Sequence, residues 1–259
     1  MSKIISIHSF RGGTGKSNLT ANLAAQAAIL GKRVAIVDTD IQSPGVHVLF
    51  GLDENTMPHT LNEYLRGEIS IEEASFPVGQ NAGDMPGRKK LVGKDLWLLP
   101  ASINGNEITQ ILRNGYDINR LNEGLYEITQ VLNLDYLFVD THPGLNEETF
   151  LSIVSSDVLL LILRPDQQDF QGTAITIDIA RLLGAPEILL VVNKALSRYE
   201  PTQIKMSVEE TYNCPVAGVL PLSEDLVENA SNDIFSLVLP DHPWSQQIKA
   251  ILDTLMSSN

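Results

Sequence analysis

A glycine-rich segment near the start of the chain has the residue types of a phosphate-binding loop. An apolar run ends at Ile7, residues 9–17 then read Ser-Phe-Arg-Gly-Gly-Thr-Gly-Lys-Ser, and a helix-period pattern follows at once. Glycines let backbone N–H groups close around phosphate oxygens, and the N-terminus of the following helix adds partial positive charge. Lys16 can neutralise the β- and γ-phosphates, and the Ser17 hydroxyl suits Mg²⁺. The segment therefore predicts a nucleoside triphosphate site.

The predicted phosphate contacts cover the loop and the start of the helix. They are Arg11, Gly12, Gly13, Thr14, Gly15, Lys16, Ser17 and Asn18. Lys16 is also a catalytic candidate, because phosphoryl transfer depends on positioning and charge neutralisation rather than on covalent chemistry.

Acidic residues stand at the ends of two other apolar runs. Asp38 ends one run, Asp140 ends a second, and Asp40 lies two residues beyond Asp38. Ligands bind at the carboxyl ends of strands in open α/β sheets, and Mg²⁺ prefers hard oxygen ligands. We expect Ser17 to bind Mg²⁺ directly, with Asp38 and Asp140 holding its water molecules. Asp40 is free to reach the γ-phosphate side.

Short apolar runs alternate along the chain with segments whose apolar residues recur at helical spacing. The strands and helices that these patterns predict would position the candidate residues. Seven runs are typical of strands buried on both faces: 4–7, 34–37, 96–99, 136–139, 158–163, 188–192 and 216–220. Apolar residues at helical spacing over 118–132 and 19–30 predict helices, the second ended by Gly31. We therefore expect one α/β domain over 1–259, with a mostly parallel twisted sheet and helices on both faces. Only 75–94 fits poorly, and we interpret it as a loop or a short hairpin.

Composition limits the class of protein. The 259 residues include 18 basic and 32 acidic side chains, for a formal charge of −14. The single cysteine, Cys214, excludes a disulfide framework and a cysteine-ligated cluster within one chain. Neither a secretion signal nor an apolar run of about 18 to 20 residues is evident. We expect a cytoplasmic protein whose acidic surface as a whole repels nucleic acid and anionic lipid.

The motifs together resemble the ParA/MinD family of deviant phosphate-loop ATPases. That family carries a signature lysine before Gly-Gly-x-Gly-Lys-Ser/Thr, and Arg11 stands at the lysine position here, with Phe10 where a general phosphate-binding loop has its first glycine. The further matching motifs are Asp38-Thr39-Asp40, Asp140, the switch Thr141-His142-Pro143-Gly144, Asn193-Lys194 and the late loop 220–225. These motifs stand in the family's order and cover roughly residues 1 to 230.

The resemblance implies the remaining roles. Asp40 would orient the attacking water, and Arg11 would contact the partner's phosphates across a nucleotide-sandwich homodimer. Asn193 and the late-loop residues Pro221, Leu222 and Ser223 would contact the base. GTPases carry an aspartate two residues after the lysine that matches Lys194, and it accepts a hydrogen bond from the guanine amino group. Leu196 stands at that position here and cannot accept, which favours ATP.

Family members position cargo such as plasmids, division inhibitors or carboxysomes, with an adaptor protein that stimulates slow hydrolysis. The final segment, 246–256, has Lys249 as its only cation, which argues against attachment to a membrane. Two groups of cations leave nonspecific DNA binding, and nucleoid association, open: Arg88, Lys89, Lys90 and Lys94, and Arg181, Arg198 and Lys205. A second hypothesis is a regulatory protein that binds ATP, hydrolyses it little and acts through a protein partner.

Overall fold

The computed structural model describes residues 2–81 and 83–257. Within them the strands are β1 Lys3–His8, β2 Val34–Asp38, β3 Phe76–Pro77, β4 Leu96–Leu99, β5 Tyr136–Asp140, β6 Val158–Leu163, β7 Ile188–Ala195 and β8 Val216–Pro221. The α-helices are α1 Lys16–Ile29, α2 Val46–Leu49, α3 Leu61–Leu65, α4 Gly105–Asn114, α5 Ile118–Val131, α6 Glu147–Val154, α7 Gln167–Leu182, α8 Pro201–Tyr212, α9 Glu224–Glu228, α10 Phe235–Val238 and α11 Pro243–Ser257.

The strands form one sheet in the order β3-β4-β2-β5-β1-β6-β7-β8. Every pairing is parallel except that of β3 with β4. The central strand, β1, lies between β5 and β6, and the loop that follows it opens at the carboxyl edge of the sheet. All seven predicted strands are present, and the predicted α/β fold class is confirmed.

Alternate residues of each strand enter different cores, because successive side chains point to opposite faces. On β1, Ile5 and Ile7 join the core beneath α1, α10 and α11, whereas Ile4 joins the core beneath α3 and α5. A third cluster packs α7 and α8 against β6 and β7. Helices therefore cover both faces, as the fully apolar strand sequences predict.

Gly31 ends α1 as predicted, with a positive φ of 80° that favours glycine. The apolar pattern over 19–30 includes Leu30, which is the C-cap residue and is 58% exposed. The helix is otherwise buried on almost every side, so its apolar residues follow no single stripe.

The segment 75–94 contains the short antiparallel strand β3 and two 3₁₀ turns, Val78–Gln80 and Arg88–Leu91. Ala82 lies outside the described residues. Asp233 accepts hydrogen bonds from the backbone N–H groups of Gly87 and Arg88, at 2.7 and 2.9 Å. These bonds attach the segment to the loop before α10.

The last helix, α11, docks on the core as predicted. Its residues Ile248, Ile251 and Leu255 are fully buried. They pack in the same cluster as α1. No helix among the described residues has the length and apolar character needed to cross a bilayer.

Candidate functional site

Two glycines give the loop between β1 and α1 its shape. Gly13 and Gly15 have φ values of 74° and 101°, in the region that side chains disfavour. A Cβ atom on Gly15 would lie 2.5 Å from Nδ2 of Asn193. The same Nδ2 donates a hydrogen bond to the Thr14 carbonyl at 2.7 Å, and Lys194 Nζ donates to the Gly13 carbonyl at 2.8 Å. The end of β7 therefore holds the outer side of the loop.

Asp140 lies at the inner side of the loop. Its Oδ2 accepts from the Ser17 hydroxyl at 2.7 Å, and its Oδ1 accepts from the Thr20 hydroxyl at 3.2 Å. Burial raises the pKa of Asp140 to about 6, a change partly offset by these hydroxyl bonds and by the charge of Lys16. Thr20 was missed in the sequence, although its position one helical turn after Lys16 places it on the same face of α1.

Asp38 lies beside Asp140, since the two residues are direct partners in the parallel register of β2 and β5. Its oxygens accept backbone hydrogen bonds from Asp40 and Gly45 at 3.1 Å each, and from Val46 at 3.3 Å. Full burial raises the pKa of Asp38 well above its ordinary value, and the charge of Asp140 raises it further. The predicted proximity of the two carboxylates is present in the fold.

These groups fit a magnesium ion carried in by a nucleotide. The donors are a hydroxyl and buried carboxylates, and Mg²⁺ prefers such hard oxygens together with water and phosphate. Burial raises the pKa values of Asp38 and Asp140, and neighbouring groups offset this only in part. The buried Thr14 hydroxyl has no hydrogen-bond partner among the described residues, as expected for a group that faces a ligand. Among residues 2–81 and 83–257, no cluster of three or more His, Cys, Asp or Glu side chains has an arrangement suited to binding a metal by itself.

Asp40 lies just outside this centre. Its Oδ1 accepts from the Ser43 backbone N–H at 3.1 Å and lies 3.9 Å from Nε2 of His142. Burial raises the pKa of Asp40, and His142 is the largest opposing influence. His142 follows Asp140 by two residues in the sequence, and the fold directs its ring towards Asp40.

A cavity of about 180 Å³ lies beside the loop. Its lining includes the four predicted base contacts, Asn193, Pro221, Leu222 and Ser223. Gly15 of the loop and Asn18 of α1 also line it. Leu226, Val227 and Trp244 also line it and were missed. Trp244 is 1% exposed, and its indole N–H has no partner among the described residues. The apolar side chains of the lining suit a flat heteroaromatic base.

Phe10 departs from the general loop pattern and Arg11 from the family's signature lysine, and both lie against α7. A Cβ atom on Gly172 would lie 2.0 Å from the ring of Phe10, so this glycine makes room for the phenylalanine. Arg11 Nη1 lies 3.8 Å from Asp166 and 3.7 Å from Asp169, and its side chain is 40% exposed. Arg164 holds Asp169 more closely, at 2.9 Å. Within one chain, Arg11 therefore lies against the start of α7. A contact between Arg11 and the phosphates bound to a partner chain stays a prediction.

A histidine that the sequence did not single out anchors the switch. His8, at the end of β1, contacts the Thr141 hydroxyl through Nδ1 at 2.7 Å, and this hydroxyl donates to the Ile7 carbonyl at 2.9 Å. Since the hydroxyl proton is used, Nδ1 of His8 must be the donor. Burial lowers the pKa of His8 to about 3, with further lowering by Lys16 and His142. The neutral ring therefore fixes Thr141 in place.

Several of the cations considered for DNA binding are engaged within the chain. Lys90 Nζ donates to the Leu237 carbonyl at 2.6 Å, and Arg88 lies 3.9 Å from Asp233. Arg181 donates to the carbonyls of Tyr212 and Asn213, at 2.8 and 2.9 Å. Lys90, Arg88 and Arg181 therefore make contacts within the chain.

The loop, the paired carboxylates and the parallel sheet define a P-loop nucleotide-binding protein. The family model of the CobQ/CobB/MinD/ParA nucleotide binding domain matches residues 5–237. The chain belongs to this family, and the resemblance seen in its motifs is confirmed.

Two relatives match most of the chain. An uncharacterized ATP-binding protein of Methanocaldococcus jannaschii is 27% identical over 259 residues, which cover 100% of this chain and 89% of the relative. The septum site-determining protein MinD of Thermotoga maritima is 24% identical over 241 residues, or 90% of this chain and 80% of the relative.

Solved structures share the fold over nearly the whole chain. MinD of Pyrococcus horikoshii, complexed with Mg-ADP, has a TM-score of 0.78 at 21% identity and covers 99% of this chain and 97% of its own. A MinC:MinD cell division complex of Aquifex aeolicus has a TM-score of 0.79 at 24% identity, with coverage of 100% and 97%. Apo McdA of Cyanthece has a TM-score of 0.74 at 16% identity, with coverage of 98% and 100%.

Proposed function

We propose that this chain is an ATPase switch. It binds ATP with Mg²⁺, forms a nucleotide-sandwich homodimer, hydrolyses ATP slowly and positions a cargo together with an adaptor protein that stimulates turnover. The domain that does this is proposed to span residues 1–259.

The observation that carries the proposal is the contact of Ser17 with Asp140 beside Asp38. A hydroxyl from the loop and two carboxylates from adjacent strands converge at the N-terminus of α1, where phosphates are best stabilised. The solved Mg-ADP complex of a MinD protein with the same fold supports the choice of nucleotide and metal.

In this proposal Ser17 would bind Mg²⁺, and Asp38 and Asp140 would hold its waters. Lys16 would neutralise phosphate charge, and Asp40 would accept a hydrogen bond from the attacking water. The cavity beside Asn193 would take the adenine. The bound Mg²⁺ would supply charge neutralisation at the β- and γ-phosphates.

Partners are proposed by analogy with the relatives. The MinC:MinD complex supports an adaptor that binds the switch, and septum placement by MinD supports a role in positioning. The cargo is proposed as DNA, a division factor or a large protein assembly. DNA binding has the weaker support, because a formal charge of −14 opposes it and several candidate cations are engaged in the chain.

The decisive experiment is Asp40→Ala. We expect the variant to bind ATP and to form the ATP-dependent dimer while its kcat falls at least about a hundredfold, because Asp40 acts on the water and not on the bound ground state. Calorimetry, light scattering and phosphate release measure the three properties. Asp241→Ala, at an exposed carboxylate, is the matched control. Loss of ATP binding by folded Asp40→Ala would contradict the assigned role.

The second candidate function is a regulatory protein that binds ATP and hydrolyses little. The replacement of the signature lysine by Arg11 favours it, since Arg11 contacts Asp166 and Asp169 of its own chain. Turnover measured with and without the protein's own binding partner separates the two functions. The ATP turnover of a cargo-positioning switch should rise when its adaptor binds, whereas the turnover of a signalling protein should not.

A further inference from the structure

Asn146, the N-cap residue of α6, has its side-chain orientation determined by hydrogen bonds. Its Oδ1 accepts from the Thr149 backbone N–H at 2.8 Å. The Thr149 hydroxyl lies 2.9 Å from the same oxygen and 2.8 Å from the Gly144 carbonyl, and its single proton serves only one of them. The oxygen must therefore face the helix, and the amide nitrogen must face away from it. That nitrogen lies 3.5 Å from Nδ1 of His142.

This orientation selects one tautomer of His142. An amide nitrogen only donates, so Nδ1 of His142 must offer its lone pair. In the neutral ring the proton is then on Nε2, the atom that lies 3.9 Å from Oδ1 of Asp40. The helix cap thus points an N–H group at this carboxylate.

Asp40 has one oxygen engaged and one free. Oδ1 accepts from Ser43 and faces His142, whereas Oδ2 accepts no hydrogen bond from any residue that the structure describes. The 3.9 Å separation exceeds a direct hydrogen bond, and such contacts in nucleotide-free sites commonly shorten when the reacting complex forms. Lys16, Asp38 and Asp140 also lie close enough to Asp40 to interact with it electrostatically.

We propose that His142, oriented by Asn146, is a positioning residue that holds Oδ1 of Asp40 and leaves Oδ2 for the attacking water. The inference deepens the proposed function and rests on it. The chain Asn146–His142–Asp40 connects the start of α6 to the water site, so a displacement of α6 changes hydrolysis without touching the phosphates.

The first test is kinetic. We expect His142→Ala to lower kcat about tenfold, the effect of losing one hydrogen bond to a charged group. The KM for ATP should stay within about twofold, because the bond matters only when water attacks. His142→Gln places an amide nitrogen near the Nε2 position and should keep at least half of the parental kcat. His142→Asn places it near Nδ1 and should not.

A second pair of variants tests the role of the cap. Asn146→Ser keeps an N-cap acceptor but is too short to reach His142, so kcat should fall about threefold with an unchanged unfolding midpoint. Asn104→Ser, at the N-cap of α4, is the matched control and should leave kcat unchanged, since Asn104 also caps its helix with its side-chain oxygen, which accepts from the Asn106 backbone N–H. Equal kcat in the parent, His142→Ala and Asn146→Ser would overturn the proposal. Equal losses in all three His142 variants with a raised KM would also overturn it.

A third measurement needs no turnover. Nitrogen NMR of the imidazole rings at pH 8, assigned with His142→Gln, should show His142 with its proton on Nε2 and should show the tautomer mixture widen in Asn146→Ser. A proton on Nδ1 in the parent would overturn the proposal even in an active enzyme. The absence of ATP hydrolysis together with the expected tautomer would instead contradict the proposed function.

Discussion

At the scale of single residues, the site is dominated by negative charge that the fold keeps out of water. Asp38 and Asp140 are each about 1% exposed or less, and their neighbours supply hydroxyl and backbone donors. Burial raises both pKa values, and these donors, together with Lys16 near Asp140, offset the effect only in part. A magnesium ion held there would supply opposing positive charge.

Replacement of Lys16 tests the phosphate side of this arrangement. We expect Lys16→Ala to weaken ATP binding at least about a hundredfold, because a charge-assisted contact of about 3 kcal/mol is lost from a loop that excludes water. Calorimetric titration with ATP and Mg²⁺ measures it. Lys89→Ala, at an exposed lysine, should bind as the parent does. Similar affinities for Lys16→Ala and Lys89→Ala would refute the prediction.

The carboxylate side predicts a dependence of stability on pH. The pKa of Asp140 is about 6 in the folded chain, above its unfolded value of 3.8. The folded state therefore binds the extra proton between these values, and its stability falls as pH rises through this window. At neutral pH this group destabilises the folded chain by about 3 kcal/mol.

Asp140→Asn removes this destabilisation. Without nucleotide and metal, we expect the variant to unfold several degrees above the parent at pH 7.5, and the difference to shrink towards zero near pH 4. Thermal unfolding in a chelator at both pH values measures it. Asp241→Asn, at an exposed carboxylate, should show no such difference. A variant less stable than the parent at pH 7.5 would show that the hydrogen bonds of Asp140 outweigh its charge.

At the scale of elements, the loop is held by strands and helices on both sides of it. The end of β7 binds its carbonyls through Asn193 and Lys194, and α7 receives Phe10 against Gly172. The site is therefore preorganised by elements distant in sequence. A change inside α7 can reach the phosphates through Phe10.

Gly172→Ala tests this connection. A Cβ atom 2.0 Å from the Phe10 ring must displace it, so we expect a loss of about 1–3 kcal/mol of stability and weaker ATP binding. Thermal unfolding and nucleotide titration measure the two effects. Adding Phe10→Ala should remove the extra cost of Gly172→Ala, because the clash disappears. Gly105→Ala is the control, since nothing lies within 4 Å of its added Cβ atom. Additive losses in the double variant would argue against the contact.

At the scale of the whole molecule, one sheet brings every motif to the same edge. Because β1 is central, its loop meets the ends of β2, β5 and β7 or the loops that follow them. The same edge carries Arg11, which is 40% exposed and faces Asp166 and Asp169. In the proposed homodimer this exposed guanidinium would exchange its own carboxylates for the partner's phosphates.

Arg11→Ala tests that exchange. We expect monomeric ATP binding to persist, while ATP-dependent dimerisation and most hydrolysis are lost, because a guanidinium can bind phosphate oxygens in a bidentate fork. Arg11→Lys should keep both in part. Light scattering with ATP and Mg²⁺ measures the dimer, with Arg198→Ala as the control at another arginine. A dimer of Arg11→Ala equal to the parent's, with equal turnover, would show that Arg11 does not act across the interface.

Much of this protein follows from its sequence. The apolar runs identify seven parallel strands, and Gly13, Gly15, Lys16 and Ser17 identify the phosphate-binding loop, because both signals are local in the chain. The position of Asp38 and Asp140 at one edge of the sheet also follows, since the carboxyl ends of parallel strands meet there. Their direct pairing depends on the strand order, which places β2 beside β5.

Tertiary structure decided the contacts that join residues far apart. Which atoms of Asn193 and Lys194 hold the loop, why Gly172 is a glycine, and that His142 faces Asp40 depend on side-chain directions across separate elements. Arg88 and Lys90 are a further example. Their sequence suggests a surface that binds DNA, but in the structure they contact Asp233 and the Leu237 carbonyl of the same chain. A sequence pattern records residue type and local period, whereas these contacts arise only when the sheet order brings the elements together.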